Sequence, residues 1–119
     1  MRQAGLTASC ALVALEDWEE RLAQDNYNAR YLANALQNEV DGVSCDVTQV
    51  QTNMLAFVID SKITAKGRNK AHMDHIGLCK VLGEKHNILL FPSFNNDAIR
   101  VVTHRDVNTE DMERTKEAI

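Results

Sequence analysis

The chain has 119 residues, 45% hydrophobic and 25% charged, with a formal net charge of −4. These are the proportions of one globular domain with a modest core. The acidic balance argues against a nucleic-acid partner, which selects a basic face, and no apolar run nears the ~20 residues that cross a bilayer as a helix. The three cysteines, Cys10, Cys45 and Cys79, are dispersed and odd in number. They make no disulfide framework and suit a reducing, cytoplasmic setting, and Cys10 and Cys79, in helical patterns, read as small buried apolar residues. No CxxC or CxxH spacing indicates zinc. The opening residues show no basic cluster followed by an apolar h-region, so no secretory signal is expected.

The spacing of Ala4, Ala8, Ala11, Leu12, Leu15 and Leu22 predicts a first helix over roughly 3–20. Trp18 lies one position off this stripe and is expected half-buried or at an interface. A second helix is predicted from about Asp25 to Asn38, with Ala29, Tyr31, Leu32, Ala33 and Leu36 buried and Asp25 or Asn26 as N-cap. No Pro or Gly separates the two, so one is expected to run into the other with only a kink. Residues 1–40 thus read as a helical connector, and residues 41–119 as a small α/β domain.

Asp41-Gly42 ends the helical region. Val43 to Val47 is a short strand candidate. Met54-Leu55-Ala56-Phe57-Val58-Ile59 is continuously apolar and reads as a strand covered on both faces. Asp60 to Lys70 is polar and basic and reads as a solvated loop. A third helix is predicted from about His72 to His86, with Met73, Ile76, Leu78, Cys79 and Leu82 inward. Ile88 to Phe91 reads as a strand broken by Pro92. Ala98 to Val102 reads as the last strand, and Asn108 as the cap of a final helix whose Glu110 and Asp111 favour its N-terminus. Helices interleaved with strands in this order predict an α+β fold with a mainly antiparallel sheet covered by helices.

Candidate chemistry concentrates on the last strand. Arg100 stands between Ile99 and Val101, and a strand sends successive side chains to opposite faces. A guanidinium on a stiff strand offers a planar fork of donors that matches a carboxylate or phosphate. The plainer alternative is a surface arginine. His72 and His75, three apart, share a helix face, yet no third ligand at recognisable spacing joins them, and a solvated helix start accounts for them. His104 and Asp106 invite comparison with a catalytic dyad, but no nucleophile motif accompanies them. Gly5, Gly42, Gly67, Gly77 and Gly83 are too scattered to cradle a phosphate.

Three stretches together resemble one family. The first is Met1-Arg2-Gln3-Ala4-Gly5 and the Ala-rich helix behind it. The second runs from Glu16 to Leu36, above all Arg21-Leu22-Ala23-Gln24-Asp25 and Asn28-Ala29-Arg30-Tyr31-Leu32-Ala33. The third joins Gln51-Thr52-Asn53-Met54 to Ile99-Arg100-Val101-Val102-Thr103-His104 and then Asp106-Val107. In this order along nearly the whole chain, they resemble the PLP-dependent threonine aldolases of low-specificity and L-allo type.

The resemblance implies the small C-terminal domain of a fold-type-I PLP enzyme. It implies that Arg100 binds the substrate α-carboxylate, and that Arg2 contacts the cofactor phosphate or a neighbouring subunit. It also implies that the Schiff-base lysine and the groups around the pyridine ring belong to a large domain preceding the Met1-Arg2-Gln3-Ala4-Gly5 segment. Lys62, Lys66, Lys70, Lys80, Lys85 and Lys116 all lie downstream of the family's catalytic position, so no catalytic residue is assigned in this chain. The expected partners are that large PLP domain or full-length subunits in a homo-oligomer, with neither nucleic acid nor membrane. The expected cofactor is pyridoxal 5'-phosphate, bound by the full-length enzyme and not by this chain alone. The alternative expectation is a noncatalytic short isoform, or a module that binds an amino acid or another protein.

Overall fold

A computed structural model describes residues 4–60, 74–93 and 97–119. Helix α1 spans Ala4–Ala14 and α2 spans Trp18–Glu39. Strand β1, Val43–Ser44, is followed by a 3-10 turn at Val47–Gln49, and β2 covers Met54–Ile59. Helix α3 is His75–His86, β3 is Phe91–Pro92, β4 is Ala98–Val102 and α4 is Thr109–Ala118.

The strands form one antiparallel sheet in the order β1-β2-β4-β3. The predicted α+β class with an antiparallel sheet is the one observed. Leu55 and Phe57 of β2 join Ile99 and Val101 of β4 in the core, against Ala29, Leu32 and Leu36 of α2, Leu78 and Leu82 of α3, and Met112 of α4. All three helices therefore contribute to the core on one face of the sheet.

The opposite face carries Met54, Ala56 and Val58 of β2 with Arg100 and Val102 of β4, and all five are exposed. The prediction that Met54–Ile59 is covered on both faces is therefore corrected. Burial alternates along the strand, and the continuous apolar run reflects one core face and one apolar but open face.

The helical start also differs from the prediction. Helix α2 begins at Trp18, so Asp25 is an interior, buried residue and not a cap. Between the helices, Asp17 takes a left-handed conformation, φ 51 and ψ 17, and the chain breaks at residues 15–17 where only a kink was expected. Trp18 is 45% exposed, as its offset from the apolar stripe implied. Helix α1 has no buried residue, and Cys10, expected in the core, is exposed. The second half of α2 instead buries Asn28, Ala29, Leu32, Ala33 and Leu36 at helical spacing.

Downstream, Gly42 takes φ 84, which a glycine adopts without strain, and its carbonyl accepts from the Asp60 N–H at 2.8 Å. That bond closes the β1–β2 pair. The strand expected at Val43–Val47 is only two residues long, because Asp46 accepts from the Thr48 N–H and turns the chain into the 3-10 segment. Helix α3 starts where the Asp74 side chain accepts from the Gly77 N–H and ends at Asn87, left-handed at φ 55. Ile76 faces outward, not inward as predicted. Pro92 pairs with Ile99 on an edge strand, the position in a sheet that tolerates proline. The predicted cap at Asn108 is present as a full capping box with Asp111.

Candidate functional site

Arg100 sits at the middle of β4, between the fully buried Ile99 and the buried Val101. Alternation then forces its side chain onto the open face. In register it stands between Ala56 of β2 and Phe91 of β3. Directly opposed residues in antiparallel strands share a face, so the row across the open sheet reads Phe91, Arg100, Ala56. The adjacent rows are Val102 with Met54, and Ala98 with Val58 and Ser44. Arg100 is the one charged side chain in these rows. Its guanidinium carbon lies 5.2 Å from the centre of the Phe91 ring. Among the described residues no carboxylate pairs with it.

The end of β4 is anchored by buried polar groups. Thr103 is fully buried, and its hydroxyl donates to the Asp25 carbonyl at 2.7 Å, with the Asn53 carbonyl at 3.2 Å. The Thr103 N–H donates to the Asn53 carbonyl at 2.9 Å, and the Asn53 side-chain amide donates to the Thr103 carbonyl at 2.7 Å. Buried Asn28 donates to the Val107 carbonyl at 3.3 Å and accepts from Gln24 at 3.0 Å and Thr109 at 3.1 Å. These bonds tie α2, the approach to β2 and the exit of β4 into one frame three residues from Arg100. Sequence reasoning singled out these stretches without assigning them this task. The available signal was the set of small polar residues, Asn28, Asn53 and Thr103, inside otherwise apolar patterns.

The other candidates separate. Arg2, His72, Lys62, Lys66 and Lys70 lie outside the described residues. His75 starts α3 and faces Asp97 at 3.8 Å. His104 and Asp106 are both exposed, at 3.7 Å, and the Asp106 N–H donates to the His104 ring at 3.3 Å, which is a local turn contact. Among the described residues no group of three His, Cys, Asp or Glu side chains converges on a point. No described helix is long and apolar enough to cross a membrane.

The described lysines stand on α3 and α4, which pack on the covered side of the sheet. Lys80 pairs with Glu84 at 3.9 Å. Lys116 bridges Glu113 at 2.5 Å and Glu39 at 3.0 Å, and these hydrogen bonds, Glu113 first, hold its ammonium above the usual lysine range. A covalent cofactor anchor needs an amine free to attack a carbonyl carbon. Lys85, near the end of α3, is exposed.

No family model matches the chain. It is 31% identical over 117 residues to low-specificity L-threonine aldolase 1 of Arabidopsis thaliana, an alignment covering 97% of this chain and 29% of that protein. It is 32% identical over 115 residues to the probable low-specificity L-threonine aldolase 2 of the same organism, covering 95% of this chain and 29% of the relative. The chain thus spans about 29% of the length of the curated relatives it matches.

Among solved structures it superposes on the cystine C–S lyase C-DES in complex with its product cysteine persulfide, with a TM-score of 0.66 at 23% identity. A lysine-to-alanine mutant of that lyase, with glycine covalently linked to the PLP cofactor, matches equally well. Each superposition covers 83% of this chain and 23% of the other. At this identity the likeness speaks for the fold, which is the fold-type-I architecture that the resemblance implied. In sequence this chain is a relative of one part of the low-specificity L-threonine aldolases, and in fold it is the counterpart of one part of a PLP-bearing lyase.

Proposed function

We propose that this chain supplies the carboxylate grip of a threonine aldolase that cleaves L-threonine or L-allo-threonine to glycine and acetaldehyde. Arg100 carries the reading. It is a forked cation with no carboxylate partner among the described residues, central on the open face of the sheet, in a chain that aligns along 97% of its length with a threonine aldolase. In this role Arg100 binds the α-carboxylate bidentately and orients Cα, so that the bond to be broken stands at a productive angle. PLP, when bound, supplies the electron sink for that cleavage.

The amine that anchors PLP is assigned to a large domain outside these 119 residues. Arg2 is assigned to the cofactor phosphate or to a neighbouring subunit. Residues 1–40 act as a helical connector whose second half is built into the core of the domain 41–119. The working assembly is a homo-oligomer in the cytoplasm, and the 119-residue chain by itself is inactive.

The test is Arg100→Ala in the PLP-loaded polypeptide that carries this chain. The KM for L-threonine is expected to rise about 100-fold, the scale of losing a bidentate charged hydrogen-bond pair. An unchanged KM would remove the reading.

A second reading follows from the chain spanning only 29% of its relatives. Here it is a noncatalytic module that binds an amino acid through Arg100. Calorimetry separates the two. Millimolar or tighter binding of threonine or glycine to the 119-residue chain, lost in Arg100→Ala, favours the module. No binding to the chain alone favours the incomplete enzyme.

A further inference from the structure

Strand β3 holds only two paired residues, yet one of them, Phe91, is placed directly opposite Arg100. Phe91 remains 55% exposed, on an edge strand, with its ring 5.2 Å from the guanidinium carbon. Such a cost in exposed apolar surface calls for a compensating contact. A ring attracts a cation through its quadrupole and takes up no N–H donor, because phenylalanine has no acceptor. A carboxylate at this position would neutralise Arg100 and compete with any anionic ligand. An aliphatic side chain would leave the long arginine free to rotate.

On the other flank stands Ala56, which offers no polar partner and little bulk. The two neighbours are thus unequal, and the guanidinium settles toward β3. Pro92 follows Phe91 with its own φ restricted by the ring, which limits how far the edge strand can swing. Met54, Val58 and Val102 complete an apolar surround. Once a ligand or a second domain covers this face, the lower local dielectric strengthens both the ring contact and the pairing with an anion.

We infer that Phe91 is the positioning residue for Arg100, holding the guanidinium over its ring so that the full set of donors is presented to the carboxylate of a small amino acid. The inference rests on the reading of Arg100 proposed above. It assigns Phe91 no contact with the reacting atoms. The ordering it supplies lowers the entropy that Arg100 loses on binding, so it acts on substrate affinity and not on the chemical step.

Two measurements test it. In the 119-residue chain, without ligand or cofactor, the Arg100 Nε–H proton resonance is expected upfield of the other arginines because of the Phe91 ring, and Phe91→Leu is expected to abolish that displacement. In the PLP-loaded polypeptide that carries the chain, Phe91→Leu is expected to raise the KM for L-threonine about 3- to 30-fold, with kcat within about twofold, the range of a cation–π contact from exposed to covered. Phe91→Tyr, which keeps the ring, is expected to restore the original KM. An undisplaced Arg100 resonance, or a Phe91→Leu enzyme with unchanged KM where Arg100→Ala still raises it, overturns the role of Phe91 and leaves the carboxylate grip standing. An Arg100→Ala enzyme with unchanged KM removes the grip and this inference together.

Discussion

The Thr103 hydroxyl is fully buried at the end of β4 and donates to the Asp25 carbonyl of α2. Removing one partner from a buried pair leaves a carbonyl without a donor, at a cost of about 1–3 kcal/mol. Thr103→Val keeps the shape and loses the donor. It is expected to destabilise the chain by that amount in urea unfolding, whereas Thr103→Ser retains most of the stability.

The cysteines give a second check at this scale. Burial raises the Cys45 thiol above its usual range, its first cause, and the neighbouring Asp46 carboxylate adds to the shift. Cys10 is exposed on α1. A thiol reagent at pH 8 is therefore expected to label Cys10 quickly and Cys45 only after denaturant is added. Cys10 also shows how residue type misleads. Its apolar helical neighbourhood predicted burial, but burial depends on a packing partner, and α1 has none among the described residues.

At the scale of elements, α2 and α4 are clamped by charge as well as by apolar contact. Lys116 of α4 reaches Glu39 at the end of α2 and Glu113 one turn back, while the Tyr31 hydroxyl donates to Glu113. The folded-state pKa of Lys116 lies above its unfolded value. Its contribution is therefore fully present below the unfolded pKa and is lost as pH rises through the folded one. Lys116→Met is expected to lose little stability relative to wild type above the ordinary lysine range and more at pH 7, as read by thermal unfolding across pH. The contribution is modest, since Glu39 and Glu113 remain partly in solvent.

The N-cap of α4 is an independent support. Asn108→Ala removes the side-chain acceptor for the Asp111 N–H while the backbone N–H of residue 108 still donates to Asp111, and it is expected to cost about 0.5–2 kcal/mol in urea unfolding. This cap was legible in the sequence because capping is local: an Asn followed by acidic residues meets the open N–H groups of the very next turn. The one-faced burial of β2 was not legible. Its apolar run is the same whether the second face is covered by helices or left open, and only the packing of α2, α3 and α4 on one side distinguishes the cases.

The whole molecule is elongated, with extents of 60 × 28 × 25 Å and a radius of gyration of 17.4 Å. A compact domain of this length has about 13.5 Å. Helix α1 carries no charged residue and buries nothing, with Leu6 at 73% exposure. Apolar surface of this extent on a helix favours association. A chain shortened by residues 1–15 is expected to keep its melting temperature within about 2 °C, because no core contact is removed. It is also expected to run closer to monomeric mass in light scattering. A large drop in melting temperature would show that α1 packs where no contact is now seen.

The amino-acid sequence by itself determined the α+β class, the last strand with its capped final helix, and the relation to threonine aldolases. Those features rest on periodicity, on caps and on side-chain type, all of which act within a few residues of one another. Tertiary structure alone decided that Asn53 bonds Thr103 while Asn28 reaches Val107 and Thr109, that one sheet face stays open, and that Arg100 stands on it beside Phe91. The physical reason is strand register. Which residues oppose one another across β2, β4 and β3 is set by the one alignment that puts Leu55, Phe57, Ile99 and Val101 under the helices together, and that alignment is a property of the assembled core.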